Sequence, residues 1–259
     1  MKTIDIRVIV GLVLAATLFG TVVCLAQEAK PHHDGPTSIL IFYKCPPAKR
    51  SALRRYMVSE GLARFAQWKN QGILSDYHIL FSRYVDTANW DMMAILSFHH
   101  YSDVAGWNEI ERTSPAGLGP EALSDVSAVH TYPSDLIRMK SSPEAAPRAV
   151  YFVIPYKYSV ATDEYVTYLD GYVIPQLNGW LAANTLSMYG VYLDRYEASR
   201  PWGSLLLLQY RDNAALGHRE STVAKVRSQL VHDPAWKKWS EDKHNIRVEG
   251  VAVIADELH

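Results

Sequence analysis

WKNQGILSDYHILFSRYVDTANW, residues 68–90, returns 112 residues later as WLAANTLSMYGVYLDRYEASRPW, residues 180–202. Trp68, Tyr77, Arg83, Tyr84 and Trp90 recur as Trp180, Tyr189, Arg195, Tyr196 and Trp202, with no gap. Tyr56, Leu74 and Leu96 recur at the same offset as Tyr168, Leu186 and Leu208. Chance rarely aligns so many tryptophans and tyrosines, so the chain reads as one unit written twice.

Outward from that stretch, each copy shows the same order of elements. In the first, residues 38–43 are β-branched and aromatic and read as a strand. Residues 49–70 carry Leu53, Met57, Phe65 and Trp68 at helical spacing, with Gly72 as a stop. Residues 74–84 and 90–99 read as paired strands around a hairpin at 85–89. A helix follows with Val104, Trp107 and Ile110, and residues 126–132 form a last strand. The second copy predicts a strand at 149–156 and a helix at 163–183, which Pro175 should kink or divide. Paired strands at 187–196 and 202–211, a longer helical stretch at 213–230 and a strand at 248–255 complete it. Ser114-Pro115-Ala116 and Asp233-Pro234-Ala235 correspond at an offset of 119, which an insertion of seven residues in the second long helix explains.

A βαββαβ unit makes a four-stranded antiparallel sheet with both helices on one face, leaving the other face to be buried. In element order, repeat and Trp/Arg-Tyr/Trp spacing, the chain resembles the dimeric α+β barrel superfamily, in its tandem form. The fold class implied is α+β, with two ferredoxin-like repeats whose antiparallel sheets pack face to face as an intrachain barrel. The domain reading is a signal peptide at 1–26, a linker at 27–37, a first repeat at 38–139, a linker at 140–147 and a second repeat at 148–259. The superfamily includes cofactor-free oxygenases of the EthD and antibiotic-monooxygenase kind, isomerases, and haem enzymes such as chlorite dismutases. The resemblance therefore speaks for the fold and leaves the reaction open.

Residues 1–26 have a basic start at Lys2 and Arg7, an apolar run at 8–23 and small residues near 26, the pattern of a secretory signal. The alternatives are a retained anchor or lipidation at Cys24. The expected location is periplasmic or secreted, with no membrane association after cleavage. Removal of this segment leaves 24 basic and 26 acidic side chains. That balance lacks the basic footprint of a nucleic-acid binder. Cys45 then remains as the single cysteine, so no disulfide forms within the chain. It sits in a Tyr-Lys-Cys-Pro-Pro context that favours a packed thiol over a reactive one.

Strand alternation separates Tyr77, Ile79 and Phe81 from His78, Leu80, Ser82 and Tyr84, and Tyr189, Val191 and Leu193 from Gly190, Tyr192, Asp194 and Tyr196. The first set of each is more apolar and should pack under the helices. The second should face the space between the sheets, with Ser97, Gln209 and His130 added from other strands. A histidine in a partly dry cavity can move a proton near neutral pH, so His78 and His130 are the candidate bases. Tyr84, Tyr192, Asp194, Tyr196, Ser97 and Gln209 are the candidate ligand-binding groups. The structural alternative is that they satisfy one another across a sheet interface. Arg83 and Arg195 read either as an anion clamp or as a repeated structural contact, and repetition favours the contact.

No phosphate loop, nucleophile elbow or zinc signature is present, and no metal site is expected. The reading is a small aromatic or apolar ligand held between the sheets, with oxygenation or isomerisation and no cofactor as the fitting chemistry. A haem-binding relative is the alternative, with His218 or His232 as axial ligand. A non-catalytic interaction module is a third. Oligomeric state is left open.

Overall fold

A computed structural model describes residues 37–196 and 200–259. The expected signal peptide, Cys24 and linker residues 27–36 lie outside the described residues. Thr37, assigned to that linker, is the first residue of a strand, and Lys140 and Ser141 of the second linker are also strand.

The first half runs β1 (Thr37–Lys44), α1 (Arg50–Tyr56), α2 (Leu62–Asn70), β2 (Asp76–Ser82), β3 (Met92–Ser97), α3 (Val104–Thr113), α4 (Pro120–Ser124) and β4 (Ala128–Ser141). The second runs β5 (Val150–Tyr158), α5 (Thr162–Tyr168), α6 (Ile174–Ala182), β6 (Leu186–Asp194), β7 (Ser204–Tyr210), α7 (Asn213–Gly217), α8 (Arg219–Leu230), α9 (Pro234–Ile246), β8 (Arg247–Glu249) and β9 (Val253–Glu257). Helix α9 was not anticipated. Its signal is the Asp233-Pro234 start: the Asp233 carboxylate accepts from the backbone N–H groups of Ala235 and Trp236, and proline occupies the first turn.

Between α1 and α2, and between α5 and α6, the helix continues through one π turn, at Met57–Gly61 and Leu169–Val173. The Leu62 N–H bonds the Met57 carbonyl and the Ile174 N–H bonds the Leu169 carbonyl, each five residues back. The two turns stand 112 residues apart, the register of the sequence repeat. Pro175, expected to break the second helix, follows its π turn directly, where the ladder has already been re-registered. The first helix makes the same turn with Ala63 in the equivalent place, so the proline exploits the turn and does not cause it.

Eight antiparallel strands close into a barrel in the order β7-β6-β4-β1-β3-β2-β9-β5, with β5 returning to β7 and β8 added outside on β5. Each half contributes its strands in one order, β4-β1-β3-β2 and β9-β5-β7-β6. The sequence pictured two sheets meeting face to face; here they are also joined edge to edge, by β4 to β6 and β2 to β9. The helices cover the outside. Their cores hold the repeated aromatics: Tyr56, Trp68 and Tyr77 in one, and Tyr168, Trp180 and Tyr189 in the other. The inner face carries a third apolar cluster, with Leu40, Phe42, Leu80, Met93, Tyr132, Tyr151, Tyr192 and Leu207. At roughly 1.5–3 kcal/mol per buried large apolar side chain, these three layers dominate the driving force for closure.

Arg83 and Arg195 lie on the two joints. Arg83 grips Asp256 of β9 at 2.6 Å and Arg195 grips Asp135 of β4 at 2.7 Å. Their backbone N–H groups bond Ile254 and Pro133 on the same neighbouring strands. Both arginines are therefore structural clasps, and the anion-clamp reading falls.

Candidate functional site: the two ends of the barrel

Because β2–β3 and β6–β7 run in the same directions round the barrel, both hairpins open at one end. There the inner face does not fill. A cavity of about 400 Å³ opens between the hairpins, walled by Phe42, Trp90, Tyr132 and Trp202. Phe42 is the hub: the rings of Trp90, Tyr132 and Trp202 meet it edge-on at centroid distances of 6.0, 5.3 and 6.3 Å. Tyr132 and Trp202 also contact each other at 5.0 Å. Val153, Leu205, Pro155 and Pro201 extend the apolar wall, while Lys44, Asn89 and His130 bring polar atoms to the mouth. Such a mixture, mostly apolar with a few polar groups, is the usual make-up of a small-molecule pocket.

The opposite end is closed by a chain of hydrogen bonds. His78 Nδ1 lies 2.7 Å from Glu257 Oε1, and the Tyr151 hydroxyl donates to Glu257 Oε2 at 2.6 Å. Gln209 Nε2 donates to the Tyr151 oxygen at 2.6 Å, and Ser187 Oγ donates to Gln209 Oε1 at 2.8 Å. The chain links β2, β9, β5, β7 and β6, five strands of one rim. Burial and the neighbouring Glu257 carboxylate push the Tyr151 phenol far above its ordinary value, so it serves as a permanent donor. Burial opposes charge on His78, but the bond and the charge of Glu257 outweigh it and raise its pKa; Glu257 is lowered in turn, again against burial, chiefly by His78.

The predicted site residues divide between these places. His78 and Gln209 join in the closed-end chain, and Ser97 ends β3 at the same rim, paired in register with Asp76 and Ser38. His130 borders the cavity at the other end, exposed. Tyr192 lies buried in the inner cluster, its phenol raised by burial. Asp194 is buried at the hairpin end, where it accepts from the Tyr196 N–H at 2.9 Å and lies 3.8 Å from Arg200 Nε. Tyr84 and Tyr196 do not face the interior: they are 68% and 54% exposed. Strands β2 and β6 end at Ser82 and Asp194, so alternation no longer governs the residues beyond them. Tyr151 and Glu257 were missed. Glu257 lies beyond the strand end drawn at 255, whereas alternation from Val153 would have found Tyr151. Cys45 is buried, and burial together with Asp91 pushes its thiol up to about 12, which makes it an inert packed group.

No family model matches the chain, and no curated protein matches it in sequence. Solved structures do. A candidate monooxygenase of Lactobacillus acidophilus aligns over 86% of this chain and 94% of its own, at 11% identity and a TM-score of 0.54. An anthrone oxidase-like protein aligns over 88% and 93%, at 13% identity and 0.54. Chlorite dismutase from Candidatus Nitrospira defluvii aligns over 88% and 92%, at 11% identity and 0.51. The chain has the dimeric α+β barrel fold. At these identities the likeness carries the architecture of that superfamily and no reaction.

Haem, the alternative raised by the sequence, would need His218 or His232 to stand over an open pocket. His218 and His232 are exposed at the ends of α8. The helix-side core beside them is filled by Tyr172, Leu177, Trp180 and Trp236. These residues do not fit an axial ligand over a haem pocket. Among the described residues no cluster of three metal-ligating side chains is found, and no helix is long and apolar enough to cross a membrane.

Proposed function

We propose that this chain binds a small, planar, largely apolar molecule in the hairpin-end cavity. The observation that carries the reading is the convergence of Phe42, Trp90, Tyr132 and Trp202 on one gap of about 400 Å³ at the hairpin end of the barrel. Closely packed protein interiors rarely leave such a space unfilled. The two halves are read as tandem ferredoxin-like copies, supported by the shared strand order and the π turns at one register. Each copy sends its hairpin tryptophan, Trp90 or Trp202, to the same mouth.

The fitting chemistry is oxygenation or isomerisation of an aromatic substrate without a cofactor, in keeping with the names of the monooxygenase-like and anthrone oxidase-like neighbours. Of the two candidate bases, His130 borders the cavity and His78 lies at the far end, engaged with Glu257. A proton taken from a ligand in the cavity would therefore pass to His130. Native mass spectrometry of the purified chain, followed by titration with neutral bicyclic aromatics, tests the binding. Uptake with tryptophan quenching is expected, and Trp202→Leu should weaken it roughly tenfold by removing one stacking face. A chain that takes up no such molecule, or a Trp202→Leu variant of unchanged affinity, would refute it.

A further inference from the structure

We propose that the cavity selects an aromatic carboxylate, its ring among the four aromatic side chains and its anionic group held by Lys44 and His130. This rests on the cavity being a ligand site, and it adds the ligand's charge. Phe42 and Lys44 alternate along β1, as His130 and Tyr132 do along β4, so all four point to the inner face. Phe42 pairs with His130 in register, and Lys44 pairs with Ala128. The two basic side chains therefore border the mouth beside the Phe42 and Tyr132 rings.

Their state differs from that of the other basic groups around the barrel. Arg50, Arg83 and Arg195 are each matched to a carboxylate: Asp91, Asp256 and Asp135. Lys44 Nζ donates to the Ala88 carbonyl at 3.1 Å and makes no ion pair among the described residues. Asp86, whose pKa Lys44 helps to lower, is held within the hairpin by the Ala88 N–H and the Asn89 side chain. The Arg200 guanidinium lies 5.2 Å over the face of Tyr132, but like the other arginines it has a carboxylate partner, Asp194 at 3.8 Å.

The second half provides an internal comparison. The equivalent bonds from Arg83 to Ile254 and from Arg195 to Pro133 set an offset of 121 between β4 and β9. His130 therefore corresponds to Val251, which also lines the cavity. The two clasping arginines recur in both halves. His130 does not. One side of the mouth carries the Lys44 ammonium and the His130 imidazole, whose ring N–H can donate to an anion without itself being charged, and the other is apolar, which matches a flat ring with an anionic group on one edge.

The test is calorimetric titration of the full chain with 2-naphthoate and with its neutral isostere 2-naphthamide, at low and high salt. A charge-assisted contact predicts roughly tenfold tighter binding of the naphthoate, reduced by salt. Lys44→Met and His130→Gln, each checked for native circular dichroism, should shrink the naphthoate-to-naphthamide ratio toward one. A naphthamide that binds as tightly as the naphthoate, or a ratio that neither substitution narrows, overturns the charge assignment and leaves the cavity as a ligand site. Failure of both probes to bind overturns the ligand site along with it.

Discussion

His78 Nδ1 stands 2.7 Å from Glu257 Oε1, tying β2 to the last barrel strand across 179 residues of sequence. The contact sits where the ring of strands closes, and its strength depends on pH through both partners. The contribution of His78, whose pKa is raised above 6.5, is fully present below that unfolded value and is lost as pH rises through the folded one. The contribution of Glu257, lowered below 4.5, is present above 4.5 and is lost as pH falls through its folded value. The pair is therefore strongest between pH 4.5 and 6.5. Thermal unfolding should show His78→Gln most destabilised relative to the parent near pH ~5.5, with a smaller gap near pH ~9. An equal gap at both would show that the ion pair contributes nothing.

The seam arginines give a second expectation. Arg83→Met and Arg195→Met should each lower stability by about 0.5–1 kcal/mol in urea titration, since both pairs are partly exposed and screened. Their effects should add, because they lie on separate joints of the barrel. Neither should alter ligand uptake. A variant that unfolds normally but loses binding would return the arginines to the site.

Tyr84 supplies a negative expectation. Its ring is in solvent beyond the end of β2, so Tyr84→Ala should change stability by less than about 0.5 kcal/mol and leave ligand affinity unaltered. A large loss of binding would mean that the hairpin folds inward over an occupied cavity.

Tyr172 tests the outer layer. Its ring stacks on Trp236 at 5.1 Å, yet its buried hydroxyl has no hydrogen-bond partner among the described residues. Tyr172→Phe keeps the stack and removes an unsatisfied polar group, so stability should be unchanged or rise by up to about 1 kcal/mol. A marked drop in the unfolding midpoint would reveal a partner for that oxygen, such as an ordered water.

Much of the architecture was readable because its signals are physical and repeated. Aromatic residues returning every 112 positions mark the contacts that each half makes between its helices and its strands. Alternation correctly sent Ile79 and Phe81 under the helices and His78 and Leu80 to the inner face. It assigns a side chain to a face, however, and says nothing of its height along the barrel axis. His78 and His130 were thus grouped as candidate bases although they occupy opposite ends. Tyr84 and Tyr196 failed because alternation was carried past the last paired residue, and Glu257 was missed because the final strand was drawn two residues short. The edge joints could not be read at all. They pair residues as distant as Phe81 and Asp256, and no local pattern records which strand a distant partner will meet.

The joint between β2 and β9 completes the ring of strands. The cylinder is sealed by five residues, Val253–Glu257, which lie between β2 and β5. Without them, β2 and the first part of β5 would present unpaired backbone amides and carbonyls to any other extended chain. A variant lacking that segment would leave two unpaired strand edges and be prone to pair with other extended chains.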